Sequence, residues 1–96
     1  MTAEFSVYPM GRVHYTEVLA RMLEELKQSG LEYQLGPMGT SIQGSREKVF
    51  IAIQRCLELA KSYSERVVMH VAIDLKESKD EHLTDRIEKV MEQLAN

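Results

Sequence analysis

The chain has 96 residues, of which 44% are apolar and 28% are charged, and its net charge is −3. These values are typical of one globular domain and exclude a disordered tail. Acidic and basic residues are interleaved without a basic stripe, so we expect no nucleic acid partner. Met1 to Met10 lack the features of a signal peptide, and no apolar run reaches the ~20 residues of a membrane span. With Cys56 as its single cysteine, the sequence fits a reducing cytoplasm and no membrane association.

The first two elements follow from apolar spacing. Residues 2 to 8 alternate between polar and apolar side chains, which predicts a strand that ends at Pro9 and Gly11. A helix comes next, because apolar residues recur at helical spacing at Val18, Leu19, Met22, Leu23 and Leu26. Gly30 fits the left-handed position that closes such a helix.

A hairpin occupies the middle of the chain. Alternation at residues 31 to 35 predicts a second strand, and the segment from Thr40 to Gln43 predicts a short third strand. Only the turn Gly36-Pro37-Met38-Gly39 separates them. So short a connection requires antiparallel pairing.

The last third of the chain predicts a helix, a strand, a charged loop at 76 to 80 and a final helix. Ser45 is a suitable N-cap for the second helix, whose apolar face carries Val49, Ile53, Cys56, Leu57 and Ala60. Residues 67 to 75 alternate with apolar side chains on both faces, as in a strand that is covered on both sides. The third helix has the apolar stripe Leu83, Ile87, Val90, Met91 and Leu94.

The predicted order is β-α-β-β-α-β plus a C-terminal helix, in a single domain over residues 1–96. The α+β solution is a ferredoxin-like sandwich with right-handed crossovers and its helices on one face of the sheet. The other face is open and mixed in character, with Ser6, Tyr8, Gln34, Val68, His70 and Ala72. An open face of this kind commonly pairs with another subunit, so we predict a homo-oligomer with ligand pockets near the interface.

The sequence predicts no catalytic residue, no metal and no cofactor. His14, His70 and His82 are too far apart for a local metal site. His70 projects from a strand toward the open face, where it is either an interface histidine or a ligand contact. Cys56 lies on an apolar helix face and is interpreted as a core residue.

A weaker alternative is a small phosphate or acyl-phosphate hydrolase. Gly11 and Arg12 join the first strand to the first helix, and a helix N-terminus with an adjacent arginine can bind an anion. One glycine and one arginine in a short loop are equally typical of an ordinary turn.

The hairpin turn offers more chemistry. Gly36 and Gly39 permit close backbone approach or positive φ, and Pro37 stiffens the segment. Met38 gives an adaptable apolar surface and Thr40 gives a hydroxyl group. The turn could still be no more than a well-formed connection between two strands.

Four segments together resemble the small thiamine-binding protein family, including its YkoF-type relatives that bind hydroxymethylpyrimidine and thiamine. They are SVYPMG, LEYQLGPMGTSIQG, RVVMHVAID and LTDRIEKV, and the resemblance spans nearly the whole chain. It implies a ferredoxin-like fold assembled into dimers and tetramers. It also implies binding of thiamine or its pyrimidine moiety without catalysis, beside the hairpin and near the subunit contact.

Carried over by position, the resemblance assigns the turn residues Pro37, Met38, Gly39 and Thr40, the flanking residues Tyr33 and Gln43, and Ser6 and Tyr8 of the first strand. With His70 from the open face, these are the predicted ligand-binding residues. We therefore expect a non-enzymatic thiamine-binding protein that forms a dimer of dimers. The alternative to a ligand-binding protein or hydrolase is an oligomeric interaction or regulatory module with no small ligand.

Overall fold

The computed structural model describes residues 1–76 and 82–95. Within them it confirms the predicted order of elements: β1 Thr2–Pro9, α1 Tyr15–Ser29, β2 Glu32–Leu35, β3 Thr40–Gln43, α2 Arg46–Lys61, β4 Val67–Asp74 and α3 Asp85–Ala95. The predicted charged loop lies, beyond Lys76, outside the described residues.

One antiparallel sheet carries the fold. Its strand order is β2-β3-β1-β4, and every neighbouring pair of strands is antiparallel. The predicted hairpin is confirmed as the β2–β3 pair, with Leu35 opposite Thr40 at the turn end. The order of elements and strands is that of the ferredoxin-like α+β fold, with α3 added at the C-terminus.

The core lies between the sheet and the pair of helices α1 and α2. Ala3, Phe5 and Val7 of β1 all point to this side and are buried. Two predicted helix ends are confirmed: Gly30 closes α1 at φ 78°, and Ser45 Oγ accepts the Lys48 N–H at 3.3 Å. Burial raises the pKa of the Cys56 thiol to about 12, which agrees with its interpretation as a core residue.

β4 differs from its prediction. Its apolar alternation suggested a strand covered on both sides, but among the described residues β4 is one of two edge strands and pairs only with β1. Val71 and Ile73 point to the helix side and are nevertheless exposed. The physical reason is the position of β4 at the edge of the sheet, where α2 covers it less than it covers the central strand β1.

α3 makes few contacts with the other described elements, and its described hydrogen bond to the sheet, from Arg86 to Asp74, is near its start. The described molecule measures 48 × 28 × 21 Å. Of the predicted apolar stripe, Ile87, Val90, Met91 and Leu94 lie on α3 and are between 49% and 75% exposed. Leu83, the first residue of the predicted stripe, lies before α3 begins at Asp85. The four residues on α3 follow the predicted helical spacing, and they do not join the core formed by the described residues.

Candidate functional site

The turn of the hairpin is built by close contact between backbone segments. The Gly36 N–H donates to the Gly39 carbonyl at 2.8 Å and places Pro37 and Met38 at the tip. A Cβ atom on Gly39 would lie 3.1 Å from both the Phe5 carbonyl oxygen and Ser6 Oγ. Among the described residues, only Gly11 and Gly30 have positive φ. Gly39 therefore serves the close approach of the turn to β1, not a left-handed conformation.

One side-chain bond fastens the tip to β1. Ser6 Oγ donates to the Met38 carbonyl at 2.7 Å, a good length for a hydroxyl donor. Met38 itself is 85% exposed. The tip is thus held by its backbone while its thioether side chain stays accessible to a ligand.

A cleft of about 310 Å³ opens beside this turn, which we call the hairpin cleft. Its volume falls within the roughly 300–1,000 Å³ of small-molecule pockets. It reaches from the turn across the end of β1 to the first half of α1. Its lining is Phe5, Ser6, Val7, Tyr8, Tyr15, Leu19, Met22, Leu35, Gly36, Pro37, Met38, Gly39 and Thr40. None of these residues carries a charge, so the cleft is an apolar and aromatic site with four hydroxyl groups.

Two tyrosines flank the mouth of the hairpin cleft. Tyr8 is about half exposed and makes an edge contact with His70, with ring centroids 6.1 Å apart and an interplanar angle of 76°. Tyr15 begins α1 and comes close enough to Tyr8 for the two phenols to interact. Burial, and then the neighbouring Tyr8, raise the pKa of Tyr15, so this phenol stays neutral at physiological pH.

The predicted ligand-binding residues separate into two groups. Six of them line the hairpin cleft: Ser6, Tyr8, Pro37, Met38, Gly39 and Thr40. His70 is connected to it through its ring contact with Tyr8. Tyr33 lies opposite Ile42 on β2, and Gln43 lies opposite Thr2 at the far end of β3. Neither lines the hairpin cleft, so neither belongs to the cleft site proposed below, and the other seven assignments remain predictions.

α1 supplies one side of the hairpin cleft, where no site residue was predicted from the sequence. Tyr15, Leu19 and Met22 belong to α1 and line the cleft. The last two were assigned to the buried face of that helix, which also agrees with the structure. The available signal was Tyr15 itself, an aromatic residue at the start of a helix that follows the strand carrying Tyr8.

A second cleft, of about 390 Å³, lies at the opposite end of β1, and we call it the α3 cleft. It is lined by Thr2, Glu4, Gln34, Ser41, Ala72, Ile73, Asp74, His82, Leu83, Arg86 and Ile87. Arg86 pairs with Asp74 at 3.1 Å. This region is charged where the hairpin cleft is neutral.

Glu32 ties the segment before α3 to β2. Its carboxylate accepts the Leu83 N–H at 3.0 Å, and its other oxygen contacts His82 Nδ1. The Leu83 N–H, and after it His82, hold the pKa of Glu32 below its usual value. The polar contacts of Glu32 and Asp74 thus attach the start of α3 to the sheet.

The alternative sites gain less support. Arg12 is exposed. Among residues 1–76 and 82–95, no group of three or more His, Cys, Asp or Glu side chains is placed to hold a metal ion. Within the same residues, no helix has the length and apolar character needed to cross a membrane.

A family model described as "Thiamine-binding protein" matches residues 3–91. The chain belongs to this family. The match includes both sides of the hairpin cleft, from β1 through α1 and the hairpin. The predicted family resemblance is therefore confirmed, at the level of the whole domain.

Other proteins resemble this member of the thiamine-binding protein family in chain length or in fold. A UPF0045 protein of Methanothermobacter thermautotrophicus is 28% identical over 98 residues, which cover 98% of this chain and 99% of the relative. A hypothetical protein of Methanocaldococcus jannascii has a similar crystal structure, with a TM-score of 0.84, 22% identity and 95% of each chain covered. A thiamine biosynthesis/salvage candidate from Thermotoga maritima gives a TM-score of 0.78 at 22% identity, covering 93% of this chain and 96% of the other. At these identities the structures support the fold alone.

Proposed function

We propose that this protein binds thiamine, or its hydroxymethylpyrimidine moiety, in the hairpin cleft without chemical conversion. Family membership over residues 3–91 supports the ligand class. The observation that carries the site is that six predicted ligand-binding residues, drawn from two separate strands and the turn, line one cleft of suitable volume. The single cysteine is buried, which is compatible with the cytoplasmic location that we infer for such a protein.

The lining of the cleft fits a flat heterocycle. Tyr8 and Tyr15 offer aromatic faces for stacking, and Tyr faces also attract a cationic ring such as a thiazolium. Met38 at the rim supplies a mobile apolar wall that can follow the shape of a ring. Because the lining carries no charged side chain, affinity would come from stacking, shape and hydrogen bonds.

The same neutrality argues against hydrolysis in the hairpin cleft, and Arg12, on which the hydrolase alternative depends, is exposed and does not line it. A phosphoryl or acyl-phosphate transfer needs positive charge directed at the anion. The lining of the hairpin cleft contains no arginine, lysine or histidine. Purified protein should therefore leave acetyl phosphate intact, and Arg12→Ala should retain the full affinity for thiamine. Steady hydrolysis that depends on Arg12 would favour the enzyme.

Two tyrosines provide a matched test of the proposed site. Tyr8 is 45% exposed and Tyr33 is 39% exposed, but only Tyr8 lines the hairpin cleft. Stacking of a base on an aromatic side chain is worth about 1–3 kcal/mol. We expect Tyr8→Ala to weaken thiamine or hydroxymethylpyrimidine binding roughly 5- to 100-fold by calorimetry, and Tyr33→Ala to leave it unchanged.

Three outcomes of this titration have distinct meanings. Absence of heat and of any thermal shift at millimolar concentrations of both ligands contradicts the proposed function. Equal loss in both tyrosine variants places the ligand elsewhere on the chain. Binding that is lost only in Tyr8→Ala supports the cleft.

We also propose that a second copy of this chain covers the apolar stripe of α3 and the free edge of β4, and that two such dimers associate. Ile87, Val90, Met91 and Leu94 are exposed on a helix that makes few contacts with the other described elements. Val71 and Ile73 are exposed beside an unpaired strand edge. Apolar helix faces and open strand edges of this kind favour association.

The assembly can be tested by one pair of α3 variants. Met91→Glu places a charge on the stripe, whereas Glu92→Gln changes a neighbouring residue outside the four-residue stripe. We expect light scattering to show a multimer for the natural chain and for Glu92→Gln, and smaller species for Met91→Glu. A natural chain that is monomeric at high micromolar concentration contradicts the assembly proposal and leaves the ligand proposal standing.

A further inference from the structure

The strand β1 extends past the end of the hairpin. Its pairing with β3 runs from Thr2 opposite Gln43 to Phe5 opposite Thr40 and ends there. Its pairing with β4 continues to Pro9 opposite Val67. Among the described residues, residues 6–9 of β1 therefore have a strand neighbour on the β4 side only.

The direction of each backbone group in β1 follows from the ladder. In antiparallel pairs, successive residues direct their N–H and C=O groups to opposite neighbours. The Met10 N–H donates to the Arg66 carbonyl, on the β4 side, at 2.8 Å. Met1 and Gly44, on the β3 side, exchange both backbone bonds at 3.0 and 3.1 Å. Even-numbered residues of β1 thus face β4, and odd-numbered residues face β3.

Val7 is the first odd-numbered residue beyond the hairpin. Its N–H and C=O groups face the position that a residue of β3 would fill if the hairpin continued along the ladder. Counted along the ladder, Met38 of the turn falls at that position. Its carbonyl, however, accepts a hydrogen bond from the Ser6 hydroxyl and not from the Val7 N–H. Within the described chain, the strand register and the turn contacts give Val7 no backbone partner on this side.

Val7 combines this vacant ladder position with near-complete burial. It lines the hairpin cleft and is only 1% exposed, so bulk water has little access to its backbone. Buried backbone N–H and C=O groups are nearly always paired. Pro9, the next residue that faces the same side, has no N–H to satisfy. Val7 is therefore the residue at which β1 retains both a donor and an acceptor facing the cleft.

We propose that the N–H and C=O of Val7 recognise a planar heterocycle that presents an adjacent donor and acceptor, such as the edge of an aminopyrimidine. The exocyclic amine would donate to the Val7 carbonyl, and the neighbouring ring nitrogen would accept the Val7 N–H. The ligand then takes the place of the missing β3 residue. This inference rests on the proposed function and names the atoms that give it selectivity.

Access to Val7 requires a small movement of the hairpin tip. The tip is fastened to β1 by the Ser6–Met38 bond, and Gly39 allows it to approach closely. A ring that enters edge-first displaces the tip while Tyr8 and Tyr15 remain at its faces. A pyrimidine without the amine would leave the buried Val7 carbonyl unpaired, which carries a large penalty in a dry site.

The experiment compares 4-amino-5-hydroxymethyl-2-methylpyrimidine with the same ring lacking the 4-amino group. We expect calorimetry on the natural chain to give at least about tenfold weaker binding for the deaminated ring. In ¹⁵N-labelled natural chain, the Val7 amide signal should shift downfield when the aminopyrimidine binds. A Val7 amide signal that already has the downfield position of a hydrogen-bonded amide before any ligand is added would overturn the inference.

A backbone variant adds a second readout. Val7→Pro removes the N–H that faces the cleft and leaves the β1–β4 bonds intact, since odd-numbered residues do not bond to β4. Val7→Ala shortens the same side chain and keeps the N–H. We expect Val7→Pro to lose at least about tenfold more affinity than Val7→Ala. If Val7→Pro does not fold, the amide signal of the natural chain still decides the matter.

The outcomes separate the inference from the function on which it rests. Equal affinity for the two pyrimidines, or an unmoved Val7 amide at saturation, overturns the role of Val7 while the cleft remains a binding site. Absence of binding by either pyrimidine and by thiamine overturns both proposals.

Discussion

The two clefts lie at opposite ends of the same strand and differ in nearly every property. The hairpin cleft is lined without a charged side chain, whereas the α3 cleft includes Glu4, Asp74, His82 and Arg86. The first is shaped by backbone contact between a turn and β1, and the second is held by polar side chains. The difference teaches that a neutral cleft shaped by backbone contacts suits the small molecule proposed above, while a charged, exposed cleft is better suited to holding a helix.

The largest effect is expected when the backbone contact of the hairpin cleft is broken. Gly39→Val adds atoms within about 3.1 Å of the Phe5 carbonyl and Ser6 Oγ, so the turn must move away from β1. We expect the free energy of unfolding to fall by about 1–3 kcal/mol, and thiamine affinity to fall at least about tenfold by calorimetry. Ala20→Val, on the exposed side of α1, adds similar bulk and should change neither affinity nor the α3 cleft. Unaltered binding in Gly39→Val would remove the turn from the site.

A smaller effect is expected from Ser6. Ser6→Ala removes the 2.7 Å bond to the Met38 carbonyl, worth about 0.5–1.5 kcal/mol. The tip should open more easily, so stopped-flow fluorescence should show faster ligand association by a factor of about 2 to 10. Ser41→Ala is the control in the α3 cleft, since its 3.4 Å contact with Glu4 is long and exposed. Slower association in Ser6→Ala would show that the tip does not limit entry.

The α3 cleft should respond to the loss of one charge without affecting the hairpin cleft. Glu32→Gln keeps an acceptor for Leu83 but removes the charge that faces His82. Because this contact is largely exposed, we expect less than about 1 kcal/mol of stability to be lost, with faster hydrogen exchange in α3. Glu24→Gln breaks an exposed ion pair with Arg21 on α1 and serves as the control. Equal exchange in both variants would mean that Glu32 does not hold α3.

The smallest effect concerns pH. We expect the α3 cleft to respond to acid and ligand binding in the hairpin cleft to be nearly independent of pH. The pKa of Glu32 is lowered in the folded chain, so its stabilisation is present above the usual value of 4.5 and is lost as pH falls through the depressed pKa. Exchange in α3 should therefore increase below pH 4.5. The lining of the hairpin cleft contains no Asp, Glu, His, Lys or Arg, and Tyr15, whose pKa is raised, stays neutral between pH 6 and 8. Thiamine affinity measured across that range should stay within about twofold; a larger change would implicate a charged group.

The sequence predicted most of the fold because the fold depends on local periodicity. The alternation of Ala3, Phe5 and Val7 predicted the buried face of β1, and the two glycines of the turn predicted the hairpin. The edge position of β4 could not be predicted from alternation, because its pattern is the same in a central strand. The exposure of the α3 stripe could not be predicted either, because it depends on whether other elements of the chain pack against that helix.

The candidate site was predicted in part for a different reason. Ser6, Tyr8 and the turn residues lie on segments whose antiparallel pairing follows from the element order, so their meeting at one cleft could be expected. Tyr15 joins them only because α1 begins over the end of β1, which requires three-dimensional packing. The role of Val7 depends on where the β1–β3 register stops, and a side chain pattern carries no record of that.

Pro9 limits which kinds of partner can bind along the free edge of β1. An extended peptide that added beside an edge strand would use every second residue as a donor and acceptor. Past the hairpin, the odd-numbered positions are Val7, which can donate, and Pro9, which cannot. A peptide would gain one donor and then meet a ring, so the edge is a poor template for strand addition and aggregation. The gap is one residue long, and it favours a small molecule over another chain.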